Sequence, residues 1–370
     1  MFRRCQKQYS FRYDYPALYG GGARQEMVPL VRKLPLYRGT WMHALQQALH
    51  YQWAGIDEFE MTVGDGKQKL RIEASSWKDV QDALTEAFDE LFDEEKDELG
   101  DLPMECERLF RSYLRFWKTD EQTYTVATLP DGSPSIEFLV DVPLDNLGLP
   151  GIRFKGRIDL LVEDNEYGGL WVWDAKWVRS VPAPDERMMS PQAPLYVWAI
   201  REQYGLDVRG FVYNYGRTKA PSEPRILQRG TLSLAKRMDT DQHTYYRAIR
   251  ALHGKQYKHY LPYYREKLLE LKGREAMWFR RERIPVEDER ILHALREYAA
   301  TVRDIQRRET RRDYVPRTYN WNCKFRSGNG CEYHDLCVAE FNGLEIGPLI
   351  KHGFVFEGER YGREEDLLSG

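Results

Sequence analysis

The sequence predicts a mixed α/β fold: a sheet of short strands with one helix set into it and long helical segments on either side. Three observations carry that reading. Short β-rich runs separated by turn residues fill 124–215. Within them, 192–204 switches to helical spacing before one more strand. The flanking stretches 76–118 and 232–312 are helical in pattern. A chain of 370 residues allows one large domain or two of ordinary size. Hydrophobic residues make up 42%, charged residues 31%, and mean hydropathy is −0.67. No run approaches the roughly 18 apolar residues of a spanning helix, which argues against a membrane protein, and 13% aromatic content argues against a largely disordered chain. With 55 Lys+Arg against 58 Asp+Glu, a formal net of −3, any case for nucleic acid must come from local charge.

The elements follow in order. Residues 1–38 are aromatic and basic, broken at Gly20-Gly21-Gly22, and Arg3-Arg4 has no apolar run behind it of the kind a secretory signal needs. A helix fits 40–53, where Trp41, Leu45, Ala48, Leu49 and Trp53 form an apolar stripe. Over 76–118, Val80, Leu84, Phe88 and Phe92 keep four-residue spacing. The outer side of this stretch is acidic, with 12 Asp+Glu against one Lys over 82–107, a solvated face that would keep nucleic acid away. Strands then fit 124–129, 136–142, 151–162 and 170–173, with turn residues at 131–134 and 163–169. A loop holding Pro182, Pro184 and Pro191 leads to the helix at 192–204, whose first residue Pro191 and Pro194 leave open. The last strand fits 210–215. Beyond it the charge reverses: 241–320 holds 19 Lys+Arg against 12 Asp+Glu, interleaved with Tyr245, Tyr246, Tyr257, Tyr260, Tyr263, Tyr264 and Trp278. An amphipathic helical layer accounts for that pattern, and so does a groove in which cations meet phosphates and rings meet bases. No GxxxxGK[ST] phosphate-binding loop is present.

The chemistry concentrates in two adjoining β-like runs. One reads Gly156-Arg157-Ile158-Asp159-Leu160-Leu161-Val162, the other Leu170-Trp171-Val172-Trp173-Asp174-Ala175-Lys176. Side chains alternate faces along a strand, so Asp174 and Lys176 project to the same side. Charges at the end of a buried apolar strand are costly unless they pair or serve a metal. A salt bridge at the sheet margin would explain Asp174 and Lys176 alone. Asp159 on the neighbouring strand changes the balance, because two carboxylates there repel and Lys176 offsets only one. Carboxylates, water and phosphate oxygens are the ligands Mg²⁺ prefers, and a nearby lysine suits metal-assisted phosphodiester hydrolysis.

These residues resemble the PD-(D/E)xK nuclease superfamily, and within it the RecB-like exonuclease branch. Gly-x-x-Asp and Asp-x-Lys on adjacent strands are matched by Gly156/Asp159 and Asp174/Lys176; Gln-x-x-x-Tyr on the next helix by Gln192 and Tyr196; Gly-x-x-x-His on an early helix by Gly39 and His43; and the glutamate on the preceding strand by Glu137. The resemblance spans 1–53, 123–215 and 275–340 and implies a restriction-endonuclease-like mixed sheet flanked by helices. It implies that Asp159, Asp174 and the carbonyl of Ala175 bind the metal. His43 would add a nitrogen ligand that tilts tolerance toward Mn²⁺ as well as Mg²⁺, with Glu137 a further ligand. Lys176 would orient or deprotonate the attacking water and stabilise developing charge. Gln192 and Tyr196 would touch the substrate strand or brace Lys176. Read singly, His43 also fits a core histidine, Glu137 an exposed strand glutamate, and Gln192 with Tyr196 an ordinary helix surface and a core tyrosine.

Five cysteines, odd in number, argue against a disulfide scaffold and for a reducing, cytoplasmic setting, and Cys323, Cys331 and Cys337 fall within fifteen residues. Some RecB-like relatives, AddB-type and CRISPR-associated, hold a [4Fe–4S] cluster with one cysteine before the nuclease core and three after it, and Cys5, Cys323, Cys331 and Cys337 occupy those places. The closing C-x5-C matches; seven residues between Cys323 and Cys331 replace the C-x2-C of many members. Zn²⁺, with His334 competing as a ligand, or unligated thiols stay open. Cys106 reads as a packed thiol.

The organisation expected is one nuclease unit over 1–370: an N-terminal segment (1–75), an acidic helical insertion (76–122), the catalytic sheet core (123–220), a basic, aromatic helical region (221–320), the cysteine cluster (321–340) and a tail (341–370). The expected activity is metal-dependent exonucleolytic hydrolysis of DNA, single-stranded or at ends, in repair, recombination or mobile-element processing, with a helicase or recombination protein as a possible partner and no membrane. The rival is a catalytically silent DNA-end-binding subunit with a structural metal cluster. A full Asp159/Asp174/Lys176 set argues against that rival.

Overall fold

Twelve consecutive residues of one strand, Arg153–Asp164, organise the molecule. The computed structural model describes residues 5–17, 25–29, 34–63, 70–118, 120–311, 315–318, 323 and 330–357. In chain order these form α1 (Gln6–Tyr13), β1 (Glu26–Pro29), α2 (Leu34–Trp53), the hairpin β2 (Phe59–Val63) and β3 (Leu70–Ala74), then α3 (Trp77–Asp89), α4 (Asp93–Leu99), α5 (Leu102–Phe116) and α6 (Asp120–Thr123). The sheet strands β4 (Tyr124–Val126), β5 (Ile136–Pro143), β6 (Arg153–Asp164) and β7 (Leu170–Val178) follow, then α7 (Pro184–Met188), α8 (Gln192–Tyr204) and β8 (Val208–Arg217). The chain closes with α9 (Gln242–His253), α10 (Tyr257–Leu271), β9 (Phe279–Pro285), α11 (Asp288–Arg311), α12 (His334–Phe341), α13 (Gly347–Gly353) and β10 (Phe354–Glu357).

The six-stranded sheet runs β4-β6-β7-β8-β9, with β5 also on β6. Because β6 is long, β4 pairs its last residues and β5 its first, end to end on one edge. The β7–β8 pair is parallel and its crossover carries α7 and α8; the other pairs are antiparallel. A parallel pair needs such a crossover, which is why the helix at 192–204 interrupts the strands. Leu161, Val172, Phe211 and Tyr213 pack with α8 and α11 on one side. Trp171, Trp173, Leu160 and Val212 pack against the end of α2, at Tyr51 and Trp53, on the other. A separate cluster joins α2 to β2–β3, α3 and α5. The N- and C-terminal pieces share a small core of Phe11, Met27, Tyr333, Leu336 and Ile350, and β1 pairs antiparallel with β10.

The sheet core lies where the sequence places it, and α8 begins at Gln192 with Pro194 inside its first turn. One expectation is corrected. The stretch 232–312 is not helical throughout: its helices start at 242, and residues 279–285 form β9, which pairs β8 antiparallel and extends the catalytic sheet. Four arginine and glutamate residues in β9 hide its strand character. The hairpin β2–β3 adds strands in the segment before the acidic helices. The acidic helical stretch is built as α3, α4 and α5, with breaks at 90–92 and 100–101. Gly20-Gly21-Gly22 and most of 319–329 lie outside the described residues.

Gly210 sits where β8 is flanked on both sides. A Cβ there would fall 2.5 Å from the carbonyl oxygen of Ile284, 2.6 Å from Trp171 Cζ3 and 3.0 Å from Pro285 Cα. Two of these are backbone atoms of the neighbouring strand, so the contact cannot be relieved by a side chain turning away. Gly210→Ala is expected to lower stability by about 1–3 kcal/mol, the range for overpacking a sheet interior, read from denaturant unfolding. Unchanged stability would show that β9 moves aside at no cost.

Candidate active site

Three carboxylates occupy one rung of the sheet. The β5–β6 register runs through Ile136↔Leu160 and Phe138↔Ile158, which sets Glu137 opposite Asp159. The β6–β7 ladder ends at Leu160↔Trp173, and the next position would set Asp159 opposite Asp174. Here the two strands part, and the Ala175 N–H donates to Asp159 Oδ2 at 2.8 Å in place of a backbone acceptor. The side chain of Asp159 therefore fills the gap in the ladder that its own position opens.

Glu137 has φ of +51°, the one positive value at a non-glycine residue among those described. A glutamate in the left-handed region is held there by its surroundings at a cost of about 1–3 kcal/mol. Ile136 and Leu160 pack on the α2 side, whereas Phe138 and Ile158 pack on the α8 side. Residues two apart normally share a face, so both strands exchange faces across Glu137 and Asp159. That exchange lets the Glu137 side chain reach the rung, where it is only 11% exposed.

His43 comes from α2. Its Nε2 lies 3.3 Å from Asp159 Oδ2 and 3.5 Å from Glu137 Oε1. Ligand atoms of His43, Glu137 and Asp159 all fall within 4.8 Å of one another, the one such group among the described residues. Asp174 lies outside that group. It is nearly fully buried, with Lys176 Nζ 3.0 Å from Oδ1 and 2.9 Å from Oδ2, and it accepts from Gln192 Nε2 at 2.8 Å. Gln192 thus braces Asp174 rather than Lys176. Tyr196, one turn on, packs where Gly156 has no side chain: a Cβ on Gly156 would sit 3.2 Å from Tyr196 Cε1.

The charges answer one another. Burial pulls His43 down, but Glu137 and Asp159 outweigh it and raise it above the usual histidine value. Burial raises Glu137, only partly countered by His43, and raises Asp174, only partly countered by Lys176. Burial would raise Asp159 too, yet His43, Lys176 and the Ala175 N–H hold it below the usual carboxylate range. Lys176 loses to burial and gains more from Asp174 and Asp159, so it is raised and cationic. One buried and two half-buried carboxylates, with one imidazole and one ammonium, form an oxygen-rich pocket, and its His43–Glu137–Asp159 donors suit a hard or borderline divalent cation. The Ala175 N–H is spent on Asp159.

Four of the five cysteines, Cys5, Cys323, Cys331 and Cys337, belong to the N- and C-terminal pieces of the chain. All five are free thiols. Cys5 caps α1, Cys331 and Cys337 pack against the core shared by both ends, and Cys323 Sγ donates to the Thr318 carbonyl at 3.3 Å. Burial pushes Cys331 up to about 11, with Cys323 and Cys5 adding, and burial raises Cys337, again with Cys5 adding. The four thiols are thus electrostatic neighbours. Cys106 is fully buried between α2, α3 and α5.

Two residues near the site escape sequence reasoning. Arg157, inside Gly-x-x-Asp, is an exposed cation that lowers Glu137. His50 lies two turns beyond His43 on α2, a spacing that does signal a shared face. It is 2% exposed, with both ring nitrogens unpaired among the described residues, against Trp53 and Trp173. Burial pushes it down to about 3, so the folded protein keeps it neutral. Unfolded, it would titrate near 6.5. Its contribution to stability is therefore complete above about pH 6.5 and is lost as pH falls from there toward about 3, with a slope of up to about 1.4 kcal/mol per pH unit. The His50→Gln variant is expected to show a correspondingly shallower acid loss in denaturant unfolding at pH 7, 6 and 5. Parallel profiles would mean that His50 takes up its proton without unfolding.

A scan against protein families matches residues 1–338 to the PD-(D/E)XK nuclease superfamily. Comparison with individual curated proteins gives no match. The match takes in α2, the whole six-stranded sheet and all four cysteines at the chain ends, and the mixed α/β architecture agrees with a restriction-endonuclease-like core. The chain belongs to the PD-(D/E)XK nuclease superfamily.

Proposed function

We propose that this protein is a metal-dependent DNA exonuclease of RecB-like type, acting on single-stranded DNA or DNA ends in repair, recombination or mobile-element processing. The observation that carries the reading is the shared rung: Glu137, Asp159 and Asp174 on adjacent strands, with His43 and Lys176 against them. His43, Glu137 and Asp159 would hold Mg²⁺ or Mn²⁺, with Asp174 completing the site from the far side of Asp159. A cation bound there would polarise the phosphodiester and make water a stronger nucleophile. Lys176, kept cationic beside Asp174, orients the water and meets the charge that develops on the phosphate oxygens. Gln192 fixes the Asp174 carboxylate through its 2.8 Å hydrogen bond. Tyr196 fills the space over Gly156 and settles the start of α8. The basic, aromatic helices α9 and α10 would guide the strand by phosphate and stacking contacts, so binding should weaken steeply with salt. A helicase or recombination protein would present the DNA.

We also propose that Cys5, Cys323, Cys331 and Cys337 ligate a [4Fe–4S] cluster that locks the two chain ends together. Support comes from Cys331 and Cys337, which pack on the core shared by both ends, and from Cys5 at the start of α1, whose thiol adds to the raised values of both.

End-labelled single-stranded DNA incubated with Mg²⁺ or Mn²⁺ should be digested, and Asp174→Asn should lower the rate by about 10²–10³-fold. Equal digestion by both proteins would remove the assigned acids from the chemistry, and digestion by neither would favour a DNA-end-binding subunit. The purified protein should be brown, absorbing near roughly 400 nm as thiolate-bound iron does, and Cys337→Ser should bleach it. A colourless protein carrying one zinc per chain would overturn the cluster.

A further inference from the structure

Strand β6 carries a row of cations that ends at the acid rung. Arg153, Lys155 and Arg157 take alternate positions, and Asp159 is the next in the same series. Between them, Phe154 and Ile158 are buried in the core that holds α8, and Gly156 lies against Tyr196. Side chains alternate faces along a strand, so the three cations stand on the opposite face, in line with Asp159. Their spacing is about 6.8 Å, two residues of an antiparallel strand. Arg153 and Arg157 are exposed and Lys155 is half-buried.

The sheet divides beside this row. The β6–β7 ladder ends at Leu160↔Trp173, so residues 153–158 of β6 are laddered to β5 alone. On the other side of the division, β7 runs from Asp174 to Lys176, whose side chain is 38% exposed. Positive charge is in surplus along the row: Asp141, opposite Lys155 on β5, pairs with both Arg153 and Lys155. Arg157 faces Leu139 across the ladder and makes no ion pair or side-chain hydrogen bond among the described residues. It is nonetheless near enough to Glu137 to pull that carboxyl down against the effect of burial. A guanidinium left without a partner beside carboxylates suits an anion supplied from outside the chain. The anion that matches is one whose charges repeat along a line, since the cations do. A nucleic-acid strand is such an anion, and tracks of this kind follow its backbone.

We propose that Arg157 holds the phosphate next to the one at Asp159 and Asp174, and that Lys155 and Arg153 take the phosphates beyond it. The strand then lies along the open face of β6 and reaches the acids in a fixed register. The proposal rests on the nuclease reading for its substrate, and its test needs no cleavage.

Affinity of the full-length protein for a fluorescent oligothymidylate is measured without divalent cation over a series of salt concentrations. Each phosphate neutralised on a single strand contributes about 0.7 to the slope of log K against log salt. Arg157→Gln should weaken binding about five- to tenfold and flatten the slope by about 0.7. Arg157→Gln with Lys155→Gln should flatten it by about 1.4. Arg157→Lys should restore the slope, because charge alone is counted there. Arg71→Gln, at an exposed cation on the β2–β3 hairpin, is the control and should leave it unchanged. A wild-type slope in Arg157→Gln, an equal loss in Arg71→Gln, or no binding by wild type would overturn the phosphate seat. Digestion of the same oligonucleotide with Mn²⁺ reads the nuclease assignment separately. A flattened slope without digestion by wild type would sink that assignment and leave the seat, and digestion with an unchanged slope would do the reverse.

Discussion

Like charge on one rung of a sheet governs this molecule. Glu137, Asp159 and Asp174 come from three neighbouring strands and face a common space in the protein interior. Burying even one carboxylate costs several kcal/mol unless it is paired, and here three are brought within reach of one another. Every unusual local feature answers that cost. The β6–β7 ladder opens at the rung and the Ala175 amide turns to Asp159. Lys176 folds back on Asp174, two residues away on its own strand. Helix α2 delivers His43 to the opposite side. Even so, burial keeps Glu137 and Asp174 raised despite the opposing pull of His43 and Lys176.

The rest of the fold serves to hold α2 and α8 against that rung. Helix α2 is twenty residues long, and its cluster with β2–β3, α3 and α5, which also takes in Phe279 of β9, fixes it from the side away from the sheet. Trp41 donates to Gln81 at 2.8 Å, and Gln46 accepts from Trp177 at 2.7 Å, so hydrogen bonds pin α2 two residues before His43 and three after it. The acidic helices thus do structural work on their inner side whatever their outer side repels. Helix α8 is held by the other core, between β8 and α11. A helix anchored on each face of the sheet is what allows an imidazole and an amide to meet carboxylates from opposite directions.

Much of this was legible in the chain itself. Alternation along Trp171–Lys176 placed Asp174 and Lys176 together, and the helical spacing of 192–204 located α8 while Pro191 and Pro194 left its first residue open. Where reading failed, the reason is physical. Strand β9 has Arg280, Arg281, Glu282 and Arg283 in its middle, a pattern that suits a solvated helix equally well. It is a strand because β8 offers it a free edge and because Arg281 lies against Trp117 and Trp173, with its guanidinium 3.8 and 4.2 Å from their ring centres. That is tertiary context, and no local window contains it. The positive φ of Glu137 is likewise invisible in Ser135-Ile136-Glu137-Phe138, since only the exchange of faces between two strands demands it. His50 was readable as a partner of His43 by spacing, but its lack of any hydrogen bond could come only from the packing around it.

The separated motifs are also linked mechanically. Gly156 sits on β6 three residues before Asp159, and its missing side chain is the space that the Tyr196 ring occupies. Tyr196 and Gln192 are four apart on α8 and so share a face, and Gln192 holds the carboxylate of Asp174. The glycine of one strand therefore sets the height of a helix, and that helix fixes the acid of the next strand. Gly-x-x-Asp, Gln-x-x-x-Tyr and Asp-x-Lys are then three views of one contact chain that runs Gly156, Tyr196, Gln192, Asp174, Lys176. A side chain at Gly156 would act on Asp174 without touching it, through a helix displaced by a few tenths of an ångström, and the spacing of these residue types follows from that geometry rather than from any need of each residue taken alone.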